Sequence, residues 1–282
     1  MEPARPSRTA LGAARHRAAH QVLERGRIFA DPLALRILGA DADEAVRAAE
    51  RQPSRRLLRL FIAVRSRFAE DAFAAASARG VRQLVILGAG LDTYAYRLEP
   101  VDGLRVFEVD HPATQAWKRE RLAEAAIAIP ASLSFVPVDF ERESLAERLV
   151  AGGLDPARPA FFIWLGVVPY LSEAAVSGTL TFIAGMSGGA HVVFDYANPP
   201  AARVRDAEYT AAHADLAARV AAAGEAFQSY FDTAALHAKL RSLGFREIED
   251  LGPTLIGERY FGKRAARPDD AGGHVVRATT RP

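Results

Sequence analysis

Five acidic residues and two glycines carry the chemistry that can be read from this sequence. The aliphatic run Leu84–Leu87 leads into Gly88-Ala89-Gly90 and then Asp92. A strand that enters a glycine turn lets backbone amides approach a ligand closely, and the helix N-terminus that usually follows favours polar ligand groups. A second strand-like run closes in Glu108-Val109-Asp110, twenty residues beyond Gly90, and a third closes in Asp139-Phe140. Glu108 and Asp110 share one side of a strand. An acid at this position accepts hydrogen bonds from the hydroxyls of an adenosine ribose. Asp139 suits the amino group of an adenine, with Phe140 placed to stack beside it. The fifth acid, Asp195, ends another strand next to Tyr196, where the pair either faces an acceptor pocket or finishes the strand.

The same residues discriminate between cofactors. The third position of the dinucleotide fingerprint G-x-G-x-x-G is Thr93, and Asp92 puts a carboxylate where a pyrophosphate wants positive potential. Both points weigh against NAD. S-adenosylmethionine carries an ammonium and no phosphate, and so tolerates the acid. The ribose acid selects neither, because both cofactors contain that ribose. Among the seven histidines, His111 sits between Asp110 and Pro112 and reads as a helix cap or an adenosine-edge residue. His16 and His20 lie one helical turn apart. That spacing suits a metal pair, but no third ligand is apparent; the pair reads instead as a helix face over the pocket, with His20 able to reach a substrate if the helix is a lid. No Ser-His-Asp arrangement is supported, and no metal site is expected.

The elements that must position these residues follow from periodicity. Residues 8–80 read as helices, including a short one opened by Asp31-Pro32. From Val81 strands and helices alternate, with strands expected at 83–88, 104–110, 133–139, 160–166 and 190–196, and a last one in "GGHVVRATT". Near-continuous apolar strands separated by helices indicate a mostly parallel sheet covered on both faces. The expected organisation is a helical N-terminal extension or lid (1–80), an α/β core (81–196), an alanine-rich helical cap insertion (197–230) and the rest of the core (231–282).

Composition sets outer limits. Half of the 282 residues are apolar and a quarter are charged, with 36 basic against 34 acidic side chains. A net charge of +2 gives no polyanion-binding signal, so nucleic acid is not an expected partner. The chain has no cysteine, which excludes disulfides, thiolate metal sites and a cysteine nucleophile. No apolar run is long enough for a membrane span, and no signal-peptide core is seen, so a cytoplasmic protein is expected.

Taken together and in order, "SRTALGAARHRAAH", "FADPLALRILG", "AVRSRFAED", "VILGAGLDTYAYRL", "FEVDHPATQAWKRERL", "PVDFERESL", "WLGVVPYLSEAAV" and "SYFDTAALHAKLRSLGF" resemble the leucine carboxyl methyltransferase family, in its bacterial small-molecule branch. The resemblance implies a class I methyltransferase (Rossmann-like) fold with seven strands, the last antiparallel, and S-adenosyl-L-methionine as cofactor. By match to the family's motifs, Arg65 would pair with the cofactor's methionine carboxylate. Gly88, Ala89 and Gly90 would form the turn under the methionine moiety, with Asp92 beside them. Asp110 and His111 would lie at the ribose, Asp139 and Phe140 at the adenine, and Tyr170 near the transferred methyl group. Tyr196 and His20 are expected on the acceptor side. Two positions depart from the family: Leu165 stands where glutamate is usual, and Tyr94 where arginine is frequent. The loss at 165 should weaken or reroute the cofactor's amino acid end, with Asp92 or a backbone carbonyl as substitutes.

The implied reaction is O-methylation of a small molecule or peptide, as in natural-product metabolism. An ionised carboxylate acceptor needs no general base, whereas a hydroxyl acceptor would call for one. Alternatives are an NAD-dependent oxidoreductase and a non-catalytic S-adenosylmethionine-binding protein. Oligomeric state is not legible.

Overall fold

The computed structural model describes residues 7–140, 142–199, 207–222, 224–262 and 270–281, with the side chains of 207–213 excepted. Seven strands form one sheet: β1 (Gln83–Leu87), β2 (Arg105–Asp110), β3 (Leu133–Pro137), β4 (Ala160–Trp164), β5 (Ala190–Ala197), β6 (Glu247–Leu251) and β7 (Gly273–Thr279), in the order β3-β2-β1-β4-β5-β7-β6. Strands β1 to β5 pair in parallel, and β7 runs antiparallel between β5 and β6. Every residue of β1 and β4 is buried, as required of central strands covered on both faces. The strand order reverses between β1 and β4, so the crevice beyond their carboxyl ends is where a ligand is expected to lie.

The first helices are α1 (Arg8–Leu23), α2 (Ala42–Glu50), α3 (Arg56–Ala78) and α4 (Pro112–Glu124). They are followed by α5 (Leu145–Ala151), α6 (Glu173–Ala184), α7 (Ala207–Ala222), α8 (Thr233–Ser242) and α9 (Pro253–Phe261). One face of the sheet packs on α5, α6 and α8 through Leu149, Leu180 and Leu236. The other packs on α3 and α9 through Phe68, Phe73 and Ile256. Fully buried Phe107 and Phe161 each contribute about 1.5–3 kcal/mol by this burial. A third apolar cluster joins α1, α2 and α4 through Ala14, Ala18, Ile37, Ala45 and Leu122. Helix α3 is therefore part of the sheet's cover, while α1 lies over the turn that follows β1 and α2 packs on α1.

Two expectations are revised. Strand β3 stops at Pro137, on the edge of the sheet where a residue without an N–H is tolerated, so Asp139 and Phe140 sit in the following turn. Asp31-Pro32 opens only turns and the 3-10 segment Arg36–Asp41, broken at Gly39 (φ 57°). Asp31 accepts Leu33 N–H but also meets Arg17, Arg97 and the Thr93 hydroxyl, so it ties elements together as well as capping. Of the expected cap, α7 is described, whereas residues 200–206 and 223 lie outside the described residues. No described helix is long and apolar enough to cross a membrane.

Candidate cofactor and acceptor site

The glycine turn follows β1 directly. Gly88 adopts φ +63°, and a Cβ there would fall 2.3 Å from Val167 Cγ2. Gly90 adopts φ +44°, and its Cβ would meet Ala10 of α1 at 2.9 Å. Both positions thus combine a left-handed backbone with a close approach, and α1 lies directly on the turn. Between them, Ala89 is buried and donates its N–H to Val109 O (3.0 Å).

Asp110, ending β2, accepts Gly90 N–H at 2.6 Å and His111 N–H at 2.7 Å. Burial pushes its carboxyl upward, against the pull of those two donors. A carboxylate offers about four acceptor positions, so capacity remains for sugar hydroxyls. His111 caps α4 by accepting Ala113 N–H on Nδ1 (3.2 Å), with Pro112 in the first helical turn. Glu108, the alternative ribose acid, is fully enclosed by Lys118 (2.8 Å) and the Tyr96 hydroxyl (3.0 Å). Burial pushes it up to about 7 against the pull of Lys118. Of the two acids that end β2, Glu108 is thus committed to Lys118 and Tyr96, whereas Asp110 is held by two backbone donors.

Asp92 accepts Tyr94 N–H at 2.8 Å and so caps the turn at 94–96. Asp139 donates its N–H to Glu143 (2.8 Å) and its carboxylate lies 3.8 Å from the Arg142 guanidinium, while Phe140 packs partly into the core.

A second centre forms beyond β4 and β5. Arg65 of α3 donates to Asp195 Oδ2 at 2.7 Å, while Asp195 Oδ1 accepts Gly166 N–H at 2.6 Å. Gly166 has φ +71°, and a Cβ there would lie 2.6 Å from Arg65 Nη2, so the guanidinium rests flat on this glycine. With one of five N–H donors on Asp195, Arg65 keeps others for a ligand carboxylate. Leu165 makes only apolar contact with the α3-side cluster. Thus the acid beside Arg65 is Asp195, whereas Asp92 is committed to its own turn.

Tyr170 stands on the 3-10 turn Val168–Tyr170, its ring 5.2 Å from that of Phe227. Burial pushes its phenol up to about 12, with Arg65 opposing and Asp195 and Glu225 adding to the rise. It is protonated at neutral pH and acts as a donor. The segment after α7 is fastened to this turn by Gln228 N–H to Pro169 O (2.7 Å), Gln228 Nε2 to Tyr170 O (2.8 Å) and the Ser229 hydroxyl to Val168 O (2.9 Å). Glu225, in the same segment, receives Arg8 N–H (2.7 Å), Thr9 N–H (3.2 Å) and the Ser7 and Thr9 hydroxyls. Ser7 N–H also reaches Thr114 Oγ1 at 3.3 Å. The start of α1 is thereby held across the glycine turn.

The two acceptor-side candidates are placed elsewhere. Tyr196 points to the face opposite Asp195, as strand alternation requires, and bonds Asp250 (2.7 Å) and Thr233 (3.0 Å) while stacking on His274. It is a core residue. His20 is fully enclosed between α1 and α3, with Nδ1 on Glu24 at 3.2 Å. His16, one turn earlier, is only half-buried. Sequence reasoning did not single out Glu225. Glu225 is an isolated acid in an alanine-rich stretch, and that contrast was the only signal available.

No group of three metal-ligating side chains gathers among the described residues. The donor set suits an adenosyl amino acid: an acid with spare acceptor capacity at the end of β2, and a guanidinium at the ends of β4 and β5.

The chain is similar to several relatives and shares its fold with a solved structure. YktD of Bacillus subtilis (strain 168), provisionally named an S-adenosyl-L-methionine-dependent methyltransferase, is 35% identical over 66% of this chain and 60% of its own length. A Frankia alni protein with the same provisional name is 36% identical over 66% of this chain and 67% of its own. A relative from Saccharopolyspora erythraea aligns over only 44% of its length, so the matches span between under half and two thirds of the relatives. A DUF574 family protein from Streptomyces avermitilis has the same fold (TM-score 0.53, 16% identity), covering 94% of this chain and 97% of that one. The family profile for leucine carboxyl methyltransferase matches residues 10–184, more than half of the chain, and the chain belongs to that family.

Proposed function

We propose that this chain is an S-adenosyl-L-methionine-dependent O-methyltransferase whose acceptor oxygen belongs to a carboxylate of a small molecule or peptide. Family membership supports the cofactor. The observation that carries the reading is the pairing of two centres at one crevice: Asp110 on the Gly88–Gly90 turn, and Arg65 with Asp195 and Gly166. When bound, the cofactor supplies an electrophilic methyl group on a sulfonium. The residues bind and orient. Asp110 accepts the ribose hydroxyls, and Arg65 turns donors toward the methionine carboxylate. Asp195 offers the ammonium a counter-charge in place of the glutamate that Leu165 replaces. Tyr170 donates its hydroxyl proton near the reacting centre. Positioning of this kind provides most of the rate in a displacement from a good leaving group.

A carboxylate is favoured over a hydroxyl because the titratable groups near Tyr170 are not set as bases. The phenol is held protonated, and the two acids that raise it are committed, Asp195 to Arg65 and Gly166 and Glu225 to the start of α1. An acceptor ionised at pH 7 needs no proton removed. Calorimetry with S-adenosylmethionine, S-adenosylhomocysteine and NAD tests the cofactor, and binding of NAD alone would refute it. Incubation with paired acids and alcohols, read by mass, tests the acceptor. A base-labile methyl ester is expected, and methylation of the alcohols only would overturn the carboxylate reading.

A further inference from the structure

A groove of about 510 Å³ runs between α3 and α9 over β6 and β7, and none of the residues assigned to the crevice lines it. Its charged walls are Arg27 after α1, Arg67 and Asp71 of α3, Glu249 of β6, Arg259 of α9 and Arg277 of β7. Arg67 pairs with Asp71 (2.7 Å), and Glu249 is shared between Arg259 (3.0 Å) and Arg277 (3.1 Å). Arg27 is exposed and has no carboxylate at ion-pair distance among the described residues. Four guanidiniums against two carboxylates leave the groove with a surplus of two positive charges. Tyr260, half-buried, also lines it, and Arg259, Asp71, Arg67 and Glu249 all act on its phenol. Burial pushes that phenol up, so it is protonated at neutral pH. Its hydroxyl makes no hydrogen bond to any described residue. Arg259 lies over the Phe68 ring at 5.7 Å, which turns its N–H groups edgewise toward acceptors.

We propose that this groove is a second binding site, specific for the phosphate group of a small phosphate monoester. Its volume falls in the range of small-molecule sites, about 300–1,000 Å³. A phosphate monoester carries close to two negative charges at pH 7 and three acceptor oxygens, which matches the surplus of two. A carboxylate brings one charge and two oxygens in one plane. Guanidiniums converging from four separate segments, with the Tyr260 hydroxyl among them, suit a tetrahedral group. The acids do not close the site. Arg67 and Asp71 are both more than half exposed, and such pairs are weak, so a ligand redirects Arg67 at little cost. Ile28, Ala72 and Ala75 give the organic part an apolar surface. Arg277 pairs with Val193, two residues before Asp195 on β5, so the groove lies along a face of the sheet and not beyond its strand ends. A bound ester leaves the crevice open to both methyl donor and acceptor.

The test titrates the full chain at low salt with phenyl phosphate, inorganic phosphate and benzoate, read by calorimetry. Phenyl phosphate is expected to bind at least tenfold more tightly than benzoate and more tightly than inorganic phosphate. It should gain affinity between about pH 5 and 7, as it takes its second charge near pH 6. Arg27→Gln and Arg277→Gln are each expected to weaken it about tenfold, the worth of one charge-assisted hydrogen bond, and Tyr260→Phe by less. All three should keep the parent affinity for S-adenosylhomocysteine. Arg241→Gln, on α8 across the sheet, is the control for net charge and should change nothing. Equal losses in Arg27→Gln and Arg241→Gln, or benzoate binding as tightly as phenyl phosphate, would overturn the site. Inorganic phosphate binding as tightly as phenyl phosphate would overturn the ester. Arg27-dependent binding of phenyl phosphate in a protein that takes no adenosyl ligand would sink the methyltransferase reading alone.

Discussion

Glu225→Gln tests how α1 is held over the glycine turn. The Glu225 carboxylate collects two backbone N–H groups and two hydroxyls from residues 7–9. Glutamine retains one acceptor oxygen, loses the charge that favours a helix N-terminus, and turns an NH2 group on the remaining donors. Hydrogen bonds to charged groups contribute about 1.5–3 kcal/mol each, and partial exposure with water replacement keeps the net loss near the value of one such bond. That corresponds to about a ten- to hundredfold shift toward the open helix, since about 1.4 kcal/mol is tenfold. Ala10 packs against Gly90, so at the proposed site the first turn of α1 would lie over an adenosyl ligand and lift for its release. Release of S-adenosylhomocysteine, followed by stopped-flow tryptophan fluorescence, is expected to accelerate by that factor. The far-ultraviolet dichroism should be unchanged. Release within twofold of the parent rate would refute the reasoning.

Gly166→Ala should push Arg65 off its platform, because the new Cβ lies 2.6 Å from Nη2 at a left-handed backbone position; calorimetry should give at least tenfold weaker S-adenosylmethionine binding in a folded protein. The backbone strain alone costs about 1–3 kcal/mol. Glu108→Gln leaves Lys118 enclosed without its counter-charge, and at pH 8 should cost about 3–5 kcal/mol by denaturant unfolding, with Glu108→Leu/Lys118→Met recovering most of it. His16 and His191 are both lowered to about 4 from 6.5. At these two sites the unfolded chain binds protons between those values that the folded chain does not, so they add stability as pH rises from 4 to 6.5, against Glu70 and Glu108, which are held up to about 7 and act in the opposite sense. A His16→Gln/His191→Gln variant should make the stability slope over that window less positive, and an unchanged slope would show that the two histidines do not contribute to it.

The central sheet was legible because its strands are short apolar runs bounded by turn residues, with β1 and β4 buried along their whole length, whereas β6 reads Glu-Ile-Glu-Asp-Leu and buries only Leu251. The glycine turn at Gly88–Gly90 and the acid that ends β2 were legible for a local reason: both are fixed by backbone geometry at the strand ends. Tyr196 and His20 were misplaced because their partners, Asp250 and Glu24, are chosen by packing between elements, which periodicity does not encode. The same holds for Asp139, where a proline ended the strand two residues early. Asp195 appeared in the sequence only as one of two adjacent polar residues. The face on which it meets Arg65 follows from the register of β5 against β4 and β7.

The strap of residues 225–231 is fastened at both ends, to Pro169 and Tyr170 on one side and to the start of α1 on the other. The donor and acceptor halves of the crevice therefore do not relax independently. By linkage, any free energy by which a bound acceptor tightens cofactor retention through this strap equals that by which the cofactor tightens acceptor binding. An acceptor that fits would slow the escape of the spent cofactor, and a poor one would let it go. Selectivity in such an enzyme would be visible in the lifetime of a ligand that the acceptor never touches.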